Sequence, residues 1–167
     1  PQILFGQYSH RVDGDIQIGV EPFDTEKECK EVFQQDLNDQ AYLPFFVSVK
    51  NNSSNLDVKI DKDNFVLRGN QGAKWDQATG ANVSRSYEAA GAVKSTLIGV
   101  ALGSGPALIS MVTEQDRNDK REKDFEEKEL RAVMSVFPSG KEEGFVYFRF
   151  HGKNGMSHED FRKYLEG

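Results

Sequence analysis

The sequence predicts a mainly β, sandwich-type domain. It carries a helical insertion over about residues 84–131, a short helix near the N-terminus and another at the C-terminus. Three observations lead there. Short runs of alternating apolar and polar residues recur before residue 68 with turn residues between them, the spacing of sandwich strands. From Ser84 the period changes, and no strand-turn-strand pattern returns until Val133. The 167 residues are 37% hydrophobic and 29% charged, enough to bury one core and typical of a folded chain in water.

The elements follow in order. In Asp15 to Glu21, residues Ile16, Ile18 and Val20 point one way, as in a half-buried strand. Thr25 can cap a helix, with Glu28 three residues on as its capping-box partner. Cys29, Val32, Phe33 and Leu37 follow at helical spacing, which predicts a helix over about 25–37. Tyr42 to Lys50, then Leu56, Val58 and Ile60, then Phe65-Val66-Leu67 read as successive strands. Asn51 to Asn55 and Gly69 to Gly72 are the turns between and after them. Glu114 to Arg131 mixes acids and bases and predicts a solvated helix anchored by Phe125 and Leu130. Strands resume at Val133 to Phe137 and Gly144 to Phe150 around the turn Pro138-Ser139-Gly140. Ser157 starts a helix docked by Phe161, Tyr164 and Leu165.

Composition narrows the function classes. A net charge of −6 and a pI near 5.1 disfavour binding to nucleic-acid phosphates, and no basic cluster escapes that average. A single cysteine excludes an internal disulfide. Cys29 lies on the apolar stripe of its helix, where an inert buried thiol is expected. The three histidines, His10, His151 and His158, lack partners at metal-ligand spacing. Asp57, Asp61 and Asp63 flank a strand and lack the glycine and glutamate of a calcium loop. No catalytic or cofactor motif is present, so no enzyme activity and no cofactor are expected. The alternative is an enzyme whose site is assembled from distant loops, which short motifs would not show.

One stretch stands apart. Ser95 to Thr113 carries no charge, and glycine recurs within it. Gly103-Ser104-Gly105 lacks the third glycine and the strand-helix setting of a dinucleotide loop. Gly91, Ser95, Gly99, Gly103 and Ala107 instead fall at intervals of four, a ladder of small residues that lets helix backbones approach. Pro106 and the glycines around it break the run, so two helices, about 89–102 and 106 onward, form a hairpin. The first arm reaches only about 21 Å, short of a bilayer core of about 30 Å. Three readings follow: the hairpin folds on its own domain, packs against copies or a protein partner, or enters a membrane surface. Gly91, Ser95, Gly99, Gly103, Pro106 and Ala107 are the candidate interaction residues. Trp75, the sole tryptophan, is a core plug or a partner contact.

Several of the strands resemble a family. Phe46-Val47-Ser48-Val49-Lys50-Asn51-Asn52-Ser53, Asp63-Asn64-Phe65-Val66-Leu67 and Pro138 to Phe148 are similar to the V-x-V-x-N-x-S, F-x-L and closing turn-strand motifs of small secreted bacterial immunoglobulin-like modules. The same pattern occurs in envelope lipoproteins of unknown function. The match covers about 42–75 and 132–150, and the insertion departs from it. No lipid-accepting cysteine heads the chain. The resemblance implies an immunoglobulin-like sandwich acting as a non-enzymatic binding or assembly module of the bacterial envelope. The chain opens on Pro1, as either a processed leader or a trimmed sequence would leave it. The resemblance implies a secreted, periplasmic or outer-membrane-associated placement.

Overall fold

A computed structural model describes residues 9–68, 74–87, 107–151 and 163. In chain order the elements are β1 (Ser9–Asp13), β2 (Ile16–Pro22), α1 (Glu26–Phe33), a 3-10 turn (Leu37–Gln40), β3 (Tyr42–Asn51), β4 (Val58–Asp61), a second 3-10 turn (Lys62–Asn64) and β5 (Lys74–Ala78). Helical residues 80–87 form α2. Then come α3 (Ala107–Lys128), β6 (Val133–Val136) and β7 (Lys141–His151). The protein is thus built of antiparallel β-sheets together with helices. It divides into two compact units: residues 79–128, and the residues up to Ala78 with those from Glu129 onward.

The strand-bearing unit holds a five-stranded antiparallel sheet in the order β1-β2-β3-β7-β5 and a two-stranded ribbon, β4-β6. Strand alternation gives β3 and β7 two apolar faces. Val47 and Val49 of β3 and Val146 and Phe148 of β7 share a buried core with Met134 and Val136 of the ribbon and with Leu130. Ile16 and Ile18 pack on this core from β2, as the alternation in that segment predicts. The opposite face is aromatic. Phe145 meets Phe33 at 4.8 Å and both Phe23 and Phe46 at 5.1 Å between ring centres. That face is covered by α1, whose Cys29 and Phe33 are buried.

Local chemistry explains where elements start and stop. Thr25 and Glu28 form the expected capping box, each side chain accepting from the other's backbone N–H at 3.3 Å. The helix ends at Phe33 rather than near Leu37. Gln34 turns left-handed (φ 59°), and its N–H bonds Lys30 O, closing the last turn. Leu37 still docks, but from the 3-10 turn that Asp36 caps at Asn38 N–H. The strand expected over Phe65-Val66-Leu67 does not form. Phe65 N–H bonds Lys62 O, and the Gln77 side chain donates to both Lys62 O and Phe65 O, so this stretch runs outside both ladders. β1 and β5 were not foreseen. They are edge strands, and a sequence such as Lys74-Trp-Asp-Gln-Ala78 has little apolar alternation to announce one.

The helical unit begins at Thr79, not Ser84. The Thr79 hydroxyl accepts from Asn82 N–H at 3.2 Å and its carbonyl from Val83 N–H, capping α2. The unit ends at Lys128, not Arg131. Leu130 is therefore a core residue beyond the helix, while Phe125 is the fully buried anchor on α3. α2 and α3 run antiparallel. Gly80 lies on the backbone of Phe125, where an added Cβ would come within 2.8 Å, and Arg85 reaches Glu122 at 3.9 Å. Asp124–Lys128 and Lys123–Glu127 are i,i+4 pairs on the outer surface, worth a few tenths of a kcal/mol each. The C-terminal helix expected from Ser157 lies outside the described residues except for Lys163, which is helical.

Candidate functional site

A concavity in the strand-bearing unit lies beside that missing strand. Where residues 65–67 leave the ladders, they roof a pocket of about 170 Å³. Val20 of β2, Phe45 and Val47 of β3 and Val146 and Phe148 of β7 form its floor and walls, with Phe65, Val66 and Leu67 at its rim. Every lining side chain is aliphatic or aromatic. Val66 is 70% exposed, so the mouth presents apolar surface to solvent. Its size and lining suit one small ring or a short hydrocarbon group. It offers a ligand no polar side chain with which to do chemistry.

The sequence-derived candidates divide. Trp75 stands on β5, half-buried, its ring 4.9 Å from Phe150 and packed against the core. It does not line the pocket. Ala107 is the first residue of α3. Gly91, Ser95, Gly99, Gly103 and Pro106 lie outside the described residues. The pocket residues were legible only as strand core. What keeps Phe65-Val66-Leu67 out of the ladders is the Gln77 side chain, bonded to Lys62 O and Phe65 O, and nothing local in the sequence marks it.

No protein-family model, curated protein or solved structure matches this chain. Its site must be read from its own chemistry. Among the described residues no group of three His, Cys, Asp or Glu is placed to hold a metal ion. Asp61 spends its carboxylate on Asp63 N–H at 3.0 Å, capping the second 3-10 turn. His151 meets Asp76 at 3.0 Å on the exposed β5–β7 edge. No helix among the described residues is long and apolar enough to cross a membrane.

Cys29 is fully buried on the inner face of α1, and its thiol donates to Phe23 O at 3.4 Å. Burial, with the negative charges of Asp36 and Glu28, pushes the thiol up to about 12, against the lowering effect of the Leu37 and Asn38 backbone amides. The unfolded thiol ionises near pH 8.5, so above that pH the unfolded chain binds fewer protons than the folded one. Stability from this group is complete below about pH 8.5 and is lost as pH rises toward 12. The expected result is that Cys29→Ala flattens the alkaline fall in urea-unfolding stability relative to the parent. Native protein should also react with a thiol reagent at pH 7 only as fast as it opens.

Proposed function

We infer that this protein is a non-enzymatic binding or assembly module of the bacterial cell envelope, built on an immunoglobulin-like sandwich. The open pocket lined only by Val, Phe and Leu is the observation that carries the binding reading. A catalytic pocket needs polar groups that converge on a substrate; a docking pocket needs desolvated apolar contact at its centre. The sandwich reading is supported by the core shared between the ribbon and the larger sheet. Val47 and Val49 lie in that shared core, and Asn51 ends β3 with Ser53 in the turn after it, so the V-x-V-x-N-x-S pattern falls on one strand and its turn. The envelope placement rests on that resemblance. The occupant is an apolar side chain of a protein partner or of a second copy.

The test is a titration with a small apolar fluorescent probe, followed by sedimentation at increasing protein concentration. Val66→Asp places a charge at the rim without touching a buried position. It should weaken probe binding about tenfold, the cost of a charge against about 1.4 kcal/mol of apolar contact, and should lower any self-association. Unchanged probe affinity and unchanged mass would remove the pocket as the site.

A further inference from the structure

Within the strand-bearing unit, the residues that flank 79–128 meet at one place. β7 gives one edge to β3, from Lys141↔Lys50 to Arg149↔Tyr42. Its other edge takes β5, whose last residue, Ala78, stands opposite Tyr147. The chain then departs for fifty residues, 79–128, and returns to that edge: Glu129 bridges Phe145, and Leu130 N–H bonds Phe145 O at 2.8 Å. Departure and return are two residues apart along a single strand, which is about 7 Å. The return is clamped hard. An added Cβ on Gly144 would lie 2.7 Å from the Cα and N of Leu130, so the two backbones touch. The Glu129 carboxylate also pairs with Lys62, with both side chains nearly buried (13% and 11% exposed). The other end is tied as well. Gln77, next to Ala78, is fastened by its side chain to Lys62 O and Phe65 O.

The consequence concerns cooperativity. Among the described residues, 79–87 and 107–128 add no strand to the five-stranded sheet. The start of α2 is capped by Thr79, and its close crossing with α3 is Gly80 on Phe125. We propose that α2 and α3 form a self-contained helical module between these two attachment points. It opens as a unit while β3 and β7 keep their pairing. Segments that move to meet partners are drawn from such low-stability units.

Hydrogen exchange on the intact chain, measured across a series of low denaturant concentrations, tests this. The expected result is a separate opening for amides of 80–87 and 107–128. They should exchange about a hundredfold faster than those of β3 and β7, which wait for global unfolding. One common exchange rate and one common denaturant dependence for all these amides would overturn the proposal. Gly80→Ala supplies the second arm. Its Cβ meets the Phe125 backbone, so exchange in α2 and α3 should rise about tenfold or more with β3 and β7 unchanged. Equal acceleration in β3 and β7 would sink the idea.

Discussion

Glu129→Ala is expected to cost about 3–5 kcal/mol of folding stability, because it leaves the Lys62 ammonium buried without its partner. Lys62 cannot turn to water cheaply. Its N–H bonds Ala132 O at 2.8 Å, and its carbonyl accepts from Gln77 at 2.7 Å, so the backbone of the turn is fixed at both ends. Removing Lys62 instead, as Lys62→Ala, should also destabilise, by taking the ammonium away from the nearly buried carboxylate. The joint change, Lys62→Met with Glu129→Leu, removes both charges and keeps the volume. It should recover most of the loss, since an apolar pair of matched size replaces a buried ion pair at little cost. Urea unfolding of the three variants and the parent gives the coupling directly. If Glu129→Ala costs under 1 kcal/mol, the pair behaves as a surface contact and this attachment point is held by its backbone bonds alone.

That ion pair also marks the limit of what the chain announces in one dimension. Thr25 and Glu28 sit three residues apart, and their capping box is legible because helix geometry alone brings them together. The same holds for Ile16, Ile18 and Val20, whose strand needs only alternation. Lys62 and Glu129 are separated by 67 residues, with nothing local to mark either as paired. Thr79 is an intermediate case. It is a good cap for the helix that starts at Gly80, yet the following Gly-Ala-Asn-Val weakens the helical signal, and the boundary reads as Ser84. Phe65-Val66-Leu67 fails differently. Its alternation is that of a strand, and Phe65 and Leu67 do pack inward against the core. The Gln77 side chain, twelve residues from Phe65, takes the hydrogen bond that a neighbouring strand would otherwise supply. The pocket exists because of that substitution, so no pattern within residues 65–67 could reveal it.

The motif residues that carry the family resemblance have a physical job, and Asn51 does most of it. Its side chain is fully buried at the end of β3. The amide nitrogen donates to Leu56 O at 2.6 Å and to Val136 O at 2.9 Å, while the oxygen accepts from Ser53 N–H at 3.0 Å. Ser53 continues the pattern, its hydroxyl donating to Leu56 O at 2.9 Å. One side chain thus shapes the turn after β3 and ties it to the end of β6 across the core. Asn51→Ala removes both donations and leaves the Val136 carbonyl and the Ser53 N–H short of that partner, while Leu56 O keeps the Ser53 hydroxyl; it is expected to cost about 2–3 kcal/mol. Asn51→Asp separates hydrogen bonding from size. The carboxylate can still accept from Ser53 N–H, but ionised it cannot donate to either carbonyl and instead faces both. Its folded-state pKa should therefore rise above the ordinary value of about 3.9. A raised group contributes its stability below the unfolded pKa and loses it as pH climbs through the folded one. Asn51→Asp should accordingly approach the parent at pH 3 and fall progressively behind it above about pH 4, a trend absent from Asn51→Ala. Denaturant unfolding of the three proteins across that range reads it. A constant gap between Asn51→Asp and the parent would mean that the two carbonyls find other donors, and that the asparagine is kept for its shape.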